Sequence, residues 1–187
     1  MKKIYFITSN KGKHLEAKEK LRKINYDVVQ KDLGYPEVQA NTLEDVAIFG
    51  VKHIQNIFDK PFILEDAGLF IDGLNGFPGV YSAYVFHTIG CRGVLKLLKD
   101  TADRKAIFKS VFAYGQPDEK PVLFIGECPG TITDVEKGIN GFGYDPIFVP
   151  NESSRTFAEM KVDEKNNYSH RGRSLDKLIN FLDEQEK

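Results

Sequence analysis

Apolar residues recur along this chain in short unbroken or alternating runs, which fit strands, and at intervals of roughly three to four residues, which fit helices. Lys3 to Thr8 predicts a strand, Ser9-Asn10-Lys11-Gly12-Lys13 a tight loop, and the polar stretch after it a helix carrying Leu15, Ala17, Leu21 and Ile24. A second strand is predicted over Tyr26 to Gln30, and a loop over Leu33 to Asn41. Thr42-Leu43-Glu44-Asp45 has the form of a capping box, opening a helix whose apolar positions include Val46, Ala47, Val51, Ile54 and Ile57. Lys60-Pro61 then punctuates before Phe62-Ile63-Leu64, a buried strand expected to end in Glu65-Asp66. Gly73, Gly76, Pro78 and Gly79 keep the chain irregular until a helical pattern resumes near Ser82 and runs, interrupted near Gly90, to Leu98. Ala106 to Tyr114 and Val122 to Cys128 read as strands joined by the turn residues Gly115-Gln116-Pro117-Asp118, hence an antiparallel pair. Thr131 to Asp134 predicts a further strand, and Ser174 to Glu186 a helix docking by Leu175, Leu178, Ile179 and Leu182. Strands and helices interleave throughout, so the expected class is α/β with a mixed sheet.

Composition narrows the picture. The 187 residues, 41% hydrophobic and 28% charged, suffice for one well-buried core, so a single domain over 1–187 is expected. With 26 basic and 27 acidic residues the formal net charge is -1, which excludes the global basic field that holds a nucleic acid polymer. Cys91 and Cys128 are far apart and form no CxxC pair, which fits a reduced cytoplasmic setting. No apolar run approaches the roughly 18 residues of a membrane span.

Four constellations could carry chemistry. Thr8-Ser9-Asn10-Lys11-Gly12-Lys13 feeds a strand end into a helix start with free amides, hydroxyls and two ammonium groups, a setting that attracts phosphate, although an ordinary helix cap uses the same residues. Its spacing is not that of a P-loop. Glu65-Asp66, with Glu37 as a third candidate, offers hard oxygen ligands of the kind Mg²⁺ takes alongside water and substrate phosphates, and turn-capping is the structural alternative. Gly141-Phe142-Gly143-Tyr144-Asp145-Pro146 joins aromatic faces and one carboxylate to a glycine-loosened backbone, suited to a flat heterocycle or, equally, to a strand-entry turn with core aromatics. Lys165 with Ser169-His170-Arg171 supplies donors that favour a keto over an amino group, unless Ser169 merely caps the last helix and the cations are solvated.

In order, TSNKGK, YPE, EDAGL, GFPGVYS, GFGYDPIF, TFAEM and EKNNYSHRG span residues 8 to 172 and resemble the inosine triphosphate pyrophosphatase family, the HAM1-like noncanonical purine nucleotide pyrophosphatases. The resemblance implies a two-lobed fold with a long mixed sheet and an active-site cleft between the lobes. It also implies a homodimer, Mg²⁺ dependence, and hydrolysis of ITP, dITP and XTP to the monophosphate and pyrophosphate. On its terms Thr8, Asn10 and Lys13 bind phosphate within the loop that Ser9, Lys11 and Gly12 complete. Glu37 and Asp66 bind metal, with Glu65 as an additional candidate, and Asp66 is also the proton acceptor. Phe142 stacks on the base, Asp145 is the loop carboxylate with Gly143 and Tyr144 beside it, and Lys165, His170 and Arg171 donate to the base. Ala67 stands where many members have Ser or Thr, leaving a backbone contact only. Val46 and Gly50 replace a common Asn and Lys, for which Lys52 is a candidate substitute. A non-catalytic nucleotide sensor would need no carboxylates at the strand, and a stepwise phosphatase would release orthophosphate.

Overall fold

Adjacent positions on a strand face opposite sides of a sheet, and the apolar runs of this chain are long enough to be covered on both. A computed structural model describes residues 1–36 and 38–185. Seven strands form one sheet: β1 (Lys2–Ile7), β2 (Tyr26–Lys31), β3 (Phe62–Ile71), β4 (Pro78–Gly79), β5 (Lys105–Gly115), β6 (Val122–Ile132) and β7 (Phe148–Pro150). Their order is β2-β1-β3-β5-β6-β7, with β4 pairing β3 off this path. β2, β1 and β3 run parallel, whereas β3, β5, β6 and β7 are antiparallel. The sheet is therefore mixed, as the alternation of elements implied.

Among the described residues five α-helices cover it: α1 (Lys11–Leu21), α2 (Leu43–Gln55), α3 (Ser82–Leu97), α4 (Val162–Tyr168) and α5 (His170–Glu184). On one face Phe6, Ile63 and Phe112 pack with Ala17 and Leu21 of α1 and Leu175 and Leu178 of α5. On the other, Ile7, Leu64 and Val111 pack with Leu43, Ala47, Val51 and Ile54 of α2. A third cluster, beyond α5, joins Leu69, Ile71, Ala106, Phe108 and Cys128 to α3 and to Phe148 and Phe157. The first and third clusters lie on the same face of the same strands. Between them the inward positions turn polar or small: Glu65 and Ala67 on β3, Ser110 on β5, Gly126 on β6. That band separates two lobes.

Several expectations need correction. The strand opened by Phe62 does not end at Glu65-Asp66 but runs on to Ile71, because β5 pairs it along its whole length. Thr131 continues β6 rather than starting a new strand, and α5 begins at His170, capped by Ser169. In α1, Leu15 is exposed and Glu16 is buried, since the inward stripe is Lys13, Glu16, Ala17, Lys20 and Leu21. Ile57 lies past the end of α2 and is exposed. The interruption expected near Gly90 is real: that residue has φ 62° inside α3.

Candidate active site

β1 pairs with β3 only as far as Leu64, and β4 takes up the same edge again at Leu69. Among the described residues, the β3 edge from Glu65 to Gly68 therefore has no strand beside it. This gap faces the loop after β1, where the strand order reverses between β1-to-β2 and β1-to-β3, the place where open α/β sheets accept ligands. Lys13 reaches into it: its ammonium donates to the Glu65 carbonyl at 3.0 Å and stands 2.8 Å from Glu65 Oε2. Because N–H and C=O of one strand residue point the same way and alternate along the strand, the Ala67 amide faces the gap as well.

On the α1/α5 face the gap is floored by a buried set of charges. Glu65, 4% exposed, accepts from Ser110 Oγ at 2.7 Å and from Arg171 Nε and Nη2 at 3.1 and 2.9 Å. Glu16, 2% exposed, takes Lys165 Nζ at 2.7 Å and Arg171 Nη1 at 2.6 Å. Lys165 also donates to Asp145 Oδ2 at 2.5 Å, an oxygen that accepts the Phe142 amide at 2.8 Å. Three carboxylates thus face three cations, the arrangement in which buried charge is tolerable. Burial alone would raise the Glu65 pKa, but Arg171 and Lys13 hold it at about 2. Burial pushes the Asp145 carboxyl up, against the pull of Lys165. Burial, then Arg171, Lys165 and Lys13, hold His170 well below the ordinary histidine value, so its ring is neutral.

The His170 ring stacks on Phe108 at 4.5 Å between centroids and 7° between planes, and its Nδ1 is buried without a hydrogen-bond partner among the described residues. Lys165 has three N–H donors and uses two of them among the described residues; Arg171 has five and uses three there. Spare donors thus remain on both. Above them lies the Phe142 ring, its centroid 4.9 Å from Lys165 Nζ and 5.3 Å from Arg171 Cζ. The same ring rests on Gly12, where any Cβ would overlap it. Gly141 and Gly143, at φ 74° and 61°, let the loop fold back so that the Asp145 carboxylate reaches the Phe142 amide.

The structure brings Lys13, Gly12, Phe142, Asp145, Lys165, His170 and Arg171 together. Asn10 caps α1, its Oδ1 accepting the Lys13 amide at 3.0 Å, while Thr8 Oγ1 accepts the Asn10 amide at 3.1 Å. Ser9 and Lys11 are exposed at the tip of that turn and Gly143 is half-buried. Asp66 is half-buried and, one residue on from Glu65, turns to the α2 face of the sheet, so it and Asp145 approach the gap from opposite sides. Glu65 is not placed to hold a metal, since both its oxygens are engaged by cations or Ser110. Tyr144 is 4% exposed in the α3 core, its hydroxyl donating to the Ser82 carbonyl at 3.0 Å, so its ring is not a stacking surface. Asp145 Oδ2 is engaged by Lys165 and the Phe142 amide, which shapes the loop, whereas its reading as the acceptor for the base ring N–H stays a proposal for the remaining oxygen. Glu37 lies outside the described residues. Lys52 is exposed on α2, away from the buried stripe of Leu43, Ala47, Gly50, Val51 and Ile54.

Sequence reasoning missed Glu16, Ser110 and Ser174, which complete the buried set. The signal for Glu16 was its place on the Lys13-Ala17-Leu21 stripe of α1. For Ser110 it was a serine with apolar same-face neighbours in the middle of a strand.

A family model described as the Ham1 family matches residues 4–181. The chain is 49% identical over 185 residues to the dITP/XTP pyrophosphatase of Thermococcus kodakarensis, covering 99% of this chain and 100% of that protein. It is 48% identical to the dITP/XTP pyrophosphatase of Pyrococcus horikoshii, covering 96% of each. The solved HAM1 protein of Coxiella burnetii superposes with a TM-score of 0.86 at 33% identity, over 98% of this chain and 100% of that one. This fold is thus shared with a solved HAM1 protein over nearly its whole length. This chain belongs to the Ham1 family.

Proposed function

We propose that this protein hydrolyses noncanonical purine nucleoside triphosphates, ITP, dITP and XTP, to the monophosphate and pyrophosphate, removing them from the nucleotide pool. The supporting observation is one gap in the β3 edge with hydrogen-bond donors for a keto base on one side and Asp66 on the other. The relatives named dITP/XTP pyrophosphatase at 48–49% identity support the same reading.

The base stacks against Phe142, and the spare N–H groups of Lys165 and Arg171, with the neutral His170 ring, donate to its 6-keto oxygen. The triphosphate crosses the gap past Lys13 and the Ala67 amide, with Thr8 and Asn10 shaping the turn. Asp66 takes the proton from the attacking water as its oxygen bonds to the α-phosphorus, and the bond from that phosphorus to the bridging oxygen breaks to release pyrophosphate. Catalysis on this scheme is positioning and charge neutralisation.

No cluster of three His, Cys, Asp or Glu side chains suited to a metal occurs among the described residues. Mg²⁺ needs no such cluster, because it keeps several waters and shares substrate phosphate oxygens, binding through one or two carboxylates. Asp66 beside the gap fits that demand, with Glu37 as its partner; when bound, the ion would neutralise the phosphates and lower the barrier to displacement. The assignment of Lys13 and Asp66 as catalytic, the cytoplasmic setting and the homodimer belong to the same proposal. Two buried, unpaired cysteines fit the reduced compartment.

The test is a panel of nucleoside triphosphates with Mg²⁺, assayed for pyrophosphate. Release from ITP and XTP is expected. Orthophosphate would indicate stepwise phosphatase chemistry, and binding without turnover a sensor.

A further inference from the structure

We propose that Lys109 is a second phosphate-binding cation, taking the terminal phosphates of the nucleotide on the α2 side of the gap, with Glu44 positioning it. The inference rests on the triphosphate reading above.

The register of β3 and β5 pairs Asp66 with Val111 and Gly68 with Lys109. Asp66 and Lys109 are therefore diagonal neighbours on one face, with Cα atoms about 7–8 Å apart. Directly opposite Lys109 stand Gly68 on β3 and Glu127 on β6, and the space over Gly68 is taken by the Gly79 carbonyl and the Phe70 ring. The Lys109 ammonium donates to Glu44 Oε1 at 2.6 Å, with side chains 22% and 25% exposed. Glu44 stands in the first turn of α2, which Thr42 caps by accepting the Asp45 amide at 3.1 Å. Glu44, Phe70, Ile107, Lys109 and Glu127 line a cavity of about 290 Å³ on this side of the sheet, so Lys109 shares it with two carboxylates.

Two features set this pair apart from a solvated surface bridge. The second Glu44 oxygen, Oε2, is buried with no hydrogen-bond partner among the described residues, so the carboxylate lacks a donor there. Only one of the three ammonium protons of Lys109 is directed at Glu44. A phosphate entering the cavity would accept from Lys109, and water held on it would donate to the Glu44 oxygen. Along β3, Lys13 contacts Glu65, one residue before Asp66, and Lys109 lies across from Gly68, two residues after it. A water directed by Asp66 at the α-phosphorus leaves the β- and γ-phosphates beyond it, where Lys109 stands. Its charge would fall on the group that departs as pyrophosphate.

The measurement is calorimetric binding of Mg-pyrophosphate and of IMP, with ITP hydrolysis kinetics, for wild type, Lys109→Ala, Lys109→Met and Lys109→Arg. Methionine keeps the stem packed if alanine fails to fold. Loss of one charge-assisted contact should weaken pyrophosphate and raise the KM for ITP about tenfold, leave IMP within about twofold, and be largely restored by arginine. Unchanged pyrophosphate affinity in a folded Lys109→Met protein, or equal weakening of IMP and pyrophosphate, overturns the assignment while wild-type turnover still stands. A wild type that neither hydrolyses ITP nor binds pyrophosphate overturns the parent reading and this one together.

Discussion

Asp66 and Glu65 are neighbours in the chain and opposites in the fold, and their fates show how far residue identity alone decides a role. Glu65 is locked into ion pairs, whereas Asp66 stands half-buried at the gap. Asp66→Asn, which keeps the shape and removes the basic oxygen, should lower kcat at least a hundredfold while nucleotide affinity changes only a few-fold. Steady-state kinetics beside equilibrium titration of ITP separates the two effects, and wild-type turnover would remove the role. Glu65 gives a stability prediction. Its carboxyl titrates near 4.5 when unfolded and at about 2 in the fold, so the benefit of its ion pairs is complete above pH 4.5. As pH falls from 4.5 toward 2 the unfolded chain protonates first, and roughly 3 kcal/mol of stability is lost. Urea midpoints of wild type should drop across that window, and Glu65→Gln should flatten the slope.

At the scale of elements, β3 and α5 matter most. β3 carries apolar residues into two cores on one face and, midway, Glu65 and Ala67, which interrupt them. α5 starts over that interruption, its first turn so close to β6 that a Cβ on Gly126 would overlap the His170 carbonyl and the Ser174 amide. Gly126→Ala must push backbone against backbone, so a loss of about 2–3 kcal/mol in chemical unfolding is expected. The start of α1 meets a softer neighbour. A Cβ on Gly12 overlaps only the Phe142 ring, which can swing, so Gly12→Ala should fold and show its effect in KM, raised severalfold with kcat little changed. Equal KM values for the variant and wild type would mean that Phe142 is not held against α1 when substrate binds.

For the whole molecule, one sheet serves both lobes, and the site occupies the seam where their cores fail to meet. The proposed homodimer predicts sedimentation at twice the 21.2 kDa chain mass, and a monomer at micromolar concentration would count against it. No helix among the described residues is long and apolar enough to cross a membrane. The α/β class, the hairpin of Ala106–Tyr114 with Val122–Cys128, the cap at Thr42 and the break at Gly90 were legible in the sequence. Each is set by local backbone preference or by periodicity within one element. The residues that gather around Phe142, Lys165 and Arg171 were legible as chemistry, since donors, carboxylates and aromatics are read from residue type. Their division of labour was not. Tyr144 as core, Asp145 and Glu65 as counter-ions, Glu16 as the buried centre of the charge cluster and Lys109 beside Asp66 all depend on strand register and helix docking. Sequence by itself determined which groups were present and which elements carried them. Only the tertiary structure decided which faced solvent, which faced one another and which were neutralised, because charge pairing and desolvation are set by distances between residues as many as 155 positions apart.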